Sequence, residues 1–253
     1  MTRSILVSGA GTGMGRAVAI RLAEAGARII LLGRHRDSLE ETRSLLVVPD
    51  RHVLVEADLR DASSLRDGLS NAELETLQAV VANAGIGGEN HYGPEDRWGE
   101  IIETNLTGTY YLINECLPYL RLDRHEDFRQ IVVTSSVLAR LGVPGYSAYC
   151  ASKAGLLGLM RVWAKTFASE NILVNAITPG WVDTEMAREG LDTFARTKGV
   201  PYQEALAEQM DMVPLGKMSR PEEIAELVQF LLSGVQNSIT GQVLDINNGA
   251  VMP

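Results

Sequence analysis

A tyrosine, a lysine and a serine occur at a spacing that suits proton transfer. Tyr149 and Lys153 are four residues apart in Y-C-A-S-K, and Ser136 lies thirteen residues before the tyrosine. Because positions i and i+4 share one face of a helix, an ammonium would be held beside a phenol. That charge favours the phenolate, so we expect the pKa of the Tyr149 hydroxyl to fall below its ordinary value of about 10. Such a phenol can exchange a proton near neutral pH, and the serine could bind the same substrate oxygen.

The elements that must hold these side chains alternate along the chain. By itself the Y-x-x-x-K spacing also fits an amphipathic helix with an ordinary surface lysine. Short all-apolar runs separated by helical patterns, however, indicate a parallel sheet covered on both faces. We therefore predict an α/β fold, a doubly wound and mostly parallel seven-stranded sheet of the Rossmann type, in one domain over residues 1–253. The predicted strands are 5–7, 29–32, 53–55, 79–82, 131–134, 173–177 and 243–246.

Two helical segments bear on the site. A long helix is expected from about Trp98 to Leu117, ending before Pro118 because proline interrupts helices. The segment from about residue 186 to 219 breaks the strand–helix rhythm and carries several large apolar residues. Long connections in compact domains are usually functional, so we interpret it as a substrate lid; the alternative is a surface helical insertion.

A glycine-rich turn follows the first strand. It reads S-G-A-G-T-G-M-G from Ser8 to Gly15 and leads into a helical pattern. Glycines permit close backbone approach to a ligand, and the helix N-terminus offers free N–H groups suited to a pyrophosphate. The G-x-G-x-x-G fingerprint is not met; the spacing present is G-x-x-x-G-x-G, at Gly9, Gly13 and Gly15. The turn predicts a bound dinucleotide.

The end of the second strand indicates which dinucleotide binds. An NAD enzyme usually places a carboxylate there for the adenosine ribose. Here the position is Gly33, followed by Arg34, whose guanidinium can bind a 2′-phosphate, with Arg36 close by. The local chemistry favours NADP(H), with NAD(H) as the alternative.

With these motifs in place, the chain resembles the short-chain dehydrogenases/reductases, in their single-domain branch, over essentially its whole length. Ser8 stands where threonine is usual, and Ala82 replaces the first asparagine of the N-N-A-G motif. Near the C-terminus D-I-N-N-G-A departs from the usual D-G-G. The matching residues are Gly9, Gly13 and Gly15; Asp58 and Leu59; Asn83 to Gly85; Asn105; Ser136, Tyr149 and Lys153; and Pro179 to Thr184.

The resemblance implies roles for these residues. Tyr149 would be the general acid in reduction, Lys153 would lower its pKa and bind the nicotinamide ribose, and Ser136 would orient the carbonyl. Asn105 would hold a water that links Lys153 to solvent. The implied cofactor-binding residues are Gly9, Gly11, Thr12, Gly13, Met14, Gly15, Arg34, Asp58, Leu59, Asn83, Ala84, Gly85, Tyr149, Lys153, Pro179, Gly180, Val182 and Thr184.

Composition excludes several other classes of function. The net charge of −9 argues against a nucleic-acid partner, and acidic balance repels anionic substrates at long range. No apolar run is long enough to cross a bilayer, and the first strand begins too early for a signal peptide. With two cysteines in helical stretches, we expect a soluble protein of the cytoplasm. No metal is expected, because the histidines lack ligand spacing; they are His35, His52, His91 and His125.

Three hypotheses of function remain. The first is NADPH-dependent reduction of a ketone, such as a 3-oxoacyl thioester, a polyketide-type ketone or another apolar carbonyl. The second is an NAD-linked alcohol or dihydrodiol dehydrogenase that oxidises its substrate. The third is a regulatory dinucleotide-binding protein without activity, which would need the glycine turn but not the proton-transfer groups. The resemblance also implies a homo-oligomer, a tetramer or dimer, formed through the two long helices and the last strand.

Overall fold

A seven-stranded sheet forms the centre of the protein. The computed structural model describes residues 3–121 and 127–252. The prediction of strands from short apolar runs is confirmed at all seven places. The strands are β1 (Ser4–Ser8), β2 (Arg28–Gly33), β3 (Val53–Glu56), β4 (Ala79–Ala82), β5 (Arg129–Thr134), β6 (Ile172–Pro179) and β7 (Val243–Ile246).

Every strand pairs with its neighbours in parallel, in the order β3-β2-β1-β4-β5-β6-β7. This confirms the doubly wound Rossmann fold, and the sheet is wholly rather than mostly parallel. The order reverses direction between β1 and β4. In open α/β sheets such a reversal leaves a crevice at the carboxyl ends of the strands, where ligands bind.

Helices cover both faces of the sheet. On one face the core includes Leu65, Ile113 and Trp163, and on the other it includes Val18 and Ile224. Burying each large apolar side chain stabilises the fold by about 1.5–3 kcal/mol. The helices are α1 (Gly13–Glu24), α2 (Arg36–Ser44), α3 (Ala62–Asn71), α4 (Trp98–Ile102), α5 (Gly108–Arg121), α6 (Ser147–Thr166), α7 (Glu185–Lys198), α8 (Tyr202–Asp211) and α9 (Pro221–Leu232).

The long helix expected from about Trp98 to Leu117 differs in two respects. After α4 the chain makes one wide π-helical turn over Glu103–Thr107, and α5 then continues through Pro118 to Arg121. The proline is tolerated because it lies near the end of α5 on the solvent side, where Asn114, the residue whose carbonyl loses its donor, is also exposed. The wide turn is where Asn105 is positioned.

In the described part of the chain, no helix is both long enough and apolar enough to span a bilayer. His125, one of the scattered histidines, lies outside the described residues.

Candidate active site

The structure brings Tyr149, Lys153 and Ser136 together. Both Tyr149 and Lys153 lie in the first two turns of α6, while Ser136 follows the end of β5. The Tyr149 and Ser136 side chains share a hydrogen bond. The Lys153 Nζ lies 5.6 Å from the centroid of the Tyr149 ring and donates a hydrogen bond of 3.0 Å to the carbonyl oxygen of Thr134. Lys153 is only 4% exposed, so the ammonium is held inside the protein beside the phenol.

The electrostatics of the pair differ from the expectation. Burial raises the pKa of the Tyr149 hydroxyl, and the hydrogen bond from Ser136 offsets this only in part. The expected lowering of the pKa is therefore wrong for this state of the protein, because removal of the phenol from water disfavours the phenolate more strongly than the Ser136 hydrogen bond favours it. Burial also lowers the pKa of the Lys153 ammonium, to about 8.

Asn105 connects α6 to the loop after β4. Its Oδ1 accepts a hydrogen bond of 2.8 Å from the backbone N–H of Ile86. Its Nδ2 donates to the carbonyl of Ile86 at 2.9 Å and to the hydroxyl of Ser152 at 3.2 Å. Since both polar atoms of the side chain have protein partners, the side chain acts as a brace between the two segments. The expected water-holding role stays a prediction.

The glycine turn is packed backbone against backbone. Gly9 and Gly13 have φ of +66° and +51°, conformations that glycine adopts without strain. A Cβ added to Gly15 would lie 2.0 Å from the carbonyl oxygen of Gly9. The hydroxyl of Ser8 accepts hydrogen bonds of 3.0 Å from the backbone N–H groups of Asn83 and Ala84. Ser8 thereby ties this turn to the N-A-G loop.

Arg16 of α1, which the sequence analysis did not single out, connects the glycine turn to α2. Its Nη2 donates to the carbonyl of Gly11 at 2.6 Å, and its Nε donates to the hydroxyl of Thr42 at 3.1 Å. The same guanidinium pairs with Glu41 at 2.8 Å. No spacing rule connects residues of α1 and α2, so only the folded structure reveals this brace.

A cavity of about 690 Å³ lies along the carboxyl ends of β1 to β4. Twelve of the expected cofactor-binding residues line it, namely Gly9, Gly11, Thr12, Gly13, Met14, Arg34, Asp58, Leu59, Asn83, Ala84, Gly85 and Thr184. The other expected residues are not among its lining residues; these are Gly15, Tyr149, Lys153, Pro179, Gly180 and Val182. The volume lies within the range of cofactor sites, ~300–1,000 Å³. The turn has no room for larger side chains, and the cavity beside it has the size of a cofactor site. Together they fit a dinucleotide.

The segment Pro179 to Thr184 closes against the glycine turn. Its Thr184 caps α7 by accepting a hydrogen bond of 3.3 Å from the N–H of Ala187. A Cβ added to Gly13 would lie 3.2 Å from Cγ2 of Thr184. At the start of the segment, the N–H of Gly180 donates to the carbonyl of Ile246 at 3.2 Å. The segment is thus fixed between the last strand and the cavity.

Three arginines lie near the ends of β2 and β3, and one of them lines the cavity. Arg60, which the sequence analysis also missed, pairs with Asp58 at 2.6 Å and lowers the pKa of that carboxyl. Arg36 lies 3.8 Å from Glu40. Arg34 lines the cavity and forms no ion pair with any residue in 3–121 or 127–252. Of the two arginines expected to read a 2′-phosphate, Arg34 is thus the one whose charge is available.

A parallel sheet with a glycine turn after its first strand, and a tyrosine–lysine pair beside a serine, define a Rossmann-type oxidoreductase. A family model described as enoyl-(acyl carrier protein) reductase matches residues 9–251. The chain belongs to the short-chain dehydrogenase/reductase family, whose members are NAD(P)-dependent oxidoreductases, and the resemblance drawn from its motifs is confirmed.

Comparison with individual proteins gives the same result. The 3-oxoacyl-(acyl-carrier-protein) reductase FabG of Thermotoga maritima is 31% identical over 255 residues, covering 98% of this chain and 97% of that protein. A variant of actinorhodin polyketide ketoreductase, solved with NADPH, superposes with a TM-score of 0.92 at 27% identity, over 98% of this chain and 97% of the other. Levodione reductase superposes with a TM-score of 0.90 at 27% identity, over 98% and 96% of the two chains.

Proposed function

We propose that this protein reduces a ketone, of the 3-oxoacyl or polyketide type or another apolar carbonyl, to a secondary alcohol with NADPH. The observation that carries the proposal is the hydrogen-bonded Tyr149–Ser136 pair beside the buried ammonium of Lys153. The relatives support it, since they include a 3-oxoacyl reductase and a polyketide ketoreductase.

Three side chains of the site have separate roles in the reduction. When bound, the dinucleotide supplies the hydride for the carbonyl carbon. The Ser136 hydroxyl orients and polarises the carbonyl oxygen, and Tyr149 donates its proton to that oxygen. The ammonium of Lys153 stabilises the negative charge that remains on the tyrosine. Because burial raises the pKa of Tyr149, the hydroxyl stays protonated at neutral pH, as a proton donor must.

The same pKa argues against the oxidative alternative. An alcohol or dihydrodiol dehydrogenase needs Tyr149 as phenolate at the start of the reaction, and burial disfavours that form. A non-catalytic binding protein would not need the Tyr149–Ser136 contact. Both alternatives are tested by following NADPH absorbance with a panel of 3-oxoacyl thioesters and aliphatic ketones at neutral pH. Rapid oxidation of alcohols with NAD, or turnover of no member of the panel, would contradict the proposal.

Arg34 is proposed to select NADPH by binding the 2′-phosphate. We expect Arg34→Ala to raise KM for NADPH about tenfold or more, the value of a charge-assisted contact to a phosphate, and to leave KM for NADH nearly unchanged. Initial rates with both cofactors measure this. Arg36→Ala is the matched control, because the Arg36 guanidinium already faces Glu40. Equal effects of Arg34→Ala on both cofactors would mean that Arg34 does not read the phosphate.

The pH dependence follows from Lys153. Its ammonium has a pKa of about 8 and must be charged for the reduction, whereas Tyr149 stays protonated to higher pH. We therefore expect kcat/KM for the ketone to be level below pH 8 and to fall as the pH rises above it, since this profile reports the free enzyme. Lys153→Arg keeps its charge in this range and should move the fall to higher pH, at a lower overall rate. A fall at the same pH in both proteins would assign it to another group.

The segment 186–219 is proposed to act as a substrate lid on a single domain. It contains most of α7, which lines the cavity through Met186 and Glu189, and all of α8. A Cβ added to Gly87 would lie 3.1 Å from Sδ of Met186, so the segment meets the loop after β4. We also propose a homo-oligomer, because two large apolar residues are exposed on the two long helices, Tyr110 of α5 at 43% and Val162 of α6 at 60%.

A further inference from the structure

The loop after β4 is attached to the start of the catalytic helix by one buried asparagine. Asn90 is 2% exposed, and its Oδ1 accepts a hydrogen bond of 2.9 Å from the N–H of Ala148 at the beginning of α6. Its Nδ2 donates to the hydroxyl of Ser147 at 3.0 Å, and its backbone N–H donates to the carbonyl of Gly145 at 2.7 Å. The position of the preceding residue, Glu89, is therefore set relative to the helix that carries Tyr149.

The carboxylate of Glu89 lines the cavity, and the described part of the chain gives it neither a hydrogen-bond donor nor an arginine or lysine partner. Its side chain is 23% exposed and lines the cavity together with Tyr146. Within the described residues, the one basic side chain within 4 Å of the carboxylate is that of the exposed His91, whose Nε2 lies 3.7 Å away, and no side chain or backbone group of these residues donates a hydrogen bond to it. The negative charge of Glu89 adds to burial in raising the pKa of the Tyr146 hydroxyl, so the two groups are close. Water can hydrogen-bond the exposed part of this carboxylate, so a ligand that displaces the water has to supply a donor in its place.

The arginine at this end of the cavity does not satisfy Glu89. Arg97 lines the cavity, but its Nε donates to Glu100 at 2.8 Å and its Nη1 donates to the carbonyl of Gly87 at 3.3 Å. Its charge is thus already matched. The charge that Glu89 leaves at this end of the cavity is therefore negative, and Glu185 and Glu189 of α7 also line the cavity, on a chain whose net charge is −9.

We propose that Glu89 binds a hydrogen-bond donor of the substrate, a hydroxyl or an ammonium, on the side of the molecule away from the reacting carbonyl. This inference rests on the proposed function. It narrows the substrate class to small ketones that carry a hydrogen-bond donor, instead of anionic or carrier-bound ketones. Tyr146, the residue immediately before α6, is close to Glu89 and also to Tyr149, whose hydroxyl pKa it helps to raise. A small ring that carries its donor opposite the carbonyl is therefore the simplest substrate for contacting both Tyr149 and Glu89.

The experiment uses four cyclohexanones that differ only at carbon 4, with methyl, hydroxyl, ammonium or carboxylate. For the wild-type protein with NADPH, we expect kcat/KM relative to the methyl ketone to be about tenfold higher for the ammonium, higher for the hydroxyl and about tenfold lower for the carboxylate. In Glu89→Gln, which keeps the size of the side chain but removes its charge, the ammonium and carboxylate ratios should both move toward one. Glu95→Gln is the control for the loss of one charge, because Glu95 is exposed and does not line the cavity; it should leave every ratio unchanged.

The outcomes separate this inference from the proposed function. Preference for the hydroxyl alone identifies a neutral donor, and preference for the ammonium identifies a cation; both support a role for Glu89. Equal ratios in the wild-type protein and Glu89→Gln, or a preferred carboxylate, would overturn the inference while ketone reduction stands. If no ketone turns over, the proposed function fails, and calorimetry with trans-4-aminocyclohexanol and trans-4-methylcyclohexanol still tests Glu89. A tighter Kd for the amine that is lost in Glu89→Gln supports the site, and equal Kd values overturn it.

Discussion

Replacing Tyr149 with phenylalanine is expected to reduce turnover by at least ~100-fold, the lower end for loss of a general acid. The phenol is the group that shares a hydrogen bond with Ser136, and it lies next to the ammonium of Lys153. Phenylalanine keeps the ring and its packing but has no proton to donate. Since the glycine turn and Arg34 are untouched, we expect the Kd for NADPH to change little. Steady-state rates and a fluorescence titration with NADPH measure the two quantities separately.

Tyr146→Phe is the matched control for this experiment. Tyr146 also lines the cavity and loses the same hydroxyl, but the Ser136 contact belongs to Tyr149. We expect its turnover to fall by less than about tenfold, the scale of a single substrate contact. Near-normal turnover in Tyr149→Phe, or equal losses in the two variants, would contradict the assignment of the general acid.

Much of the fold could be predicted from the sequence because its strands are buried on both faces. In β4 and β5 every residue is buried, and each strand contains a short apolar run, which is the whole of β4 and residues 131–133 of β5. The end of α5 could not be predicted in the same way. Whether Pro118 ends a helix depends on which carbonyl loses its donor and whether water reaches it, and the exposure of Asn114 is a property of the folded chain.

In the candidate site, contacts within one helix could be predicted from the sequence, whereas contacts between distant elements could not. The spacing of Tyr149 and Lys153 is local, so the helix brings them together as expected. The contacts of Asn105 with Ile86 and of Arg16 with Gly11 and Glu41 join elements that no spacing rule connects.

The predicted direction of the shift in the pKa of the Tyr149 hydroxyl was wrong for a related reason. Spacing gives the neighbour that favours the phenolate, but it does not give the depth of burial that opposes it. Burial is a sum over many distant residues. A sequence motif therefore brought the candidate proton donor and its neighbours together, but it gave the wrong direction for the shift in the pKa of Tyr149.

Replacing Gly15 with alanine is expected to weaken NADPH binding by about 100-fold. The new Cβ would lie 2.0 Å from the carbonyl oxygen of Gly9 and 2.8 Å from Nδ2 of Asn83, so the turn must move away from α1. Overpacking of this kind costs about 1–3 kcal/mol, and about 1.4 kcal/mol corresponds to a tenfold change in affinity. We place the effect near the upper end because the first contact is with backbone, which cannot rotate away. The thermal midpoint should also fall by several degrees.

Gly158→Ala provides the comparison that makes this result interpretable. Gly158 lies inside α6, is exposed in one protomer, and would place its Cβ where no heavy atom of that protomer lies within 4 Å. Alanine there should stabilise the protomer by roughly 0.5–1 kcal/mol through helix propensity, with unchanged NADPH affinity. Differential scanning fluorimetry with and without NADPH measures both variants. If Gly15→Ala bound NADPH as tightly as Gly158→Ala, the close packing of the turn would not be what forms the dinucleotide site, and the cavity would have to hold its ligand by side chains alone.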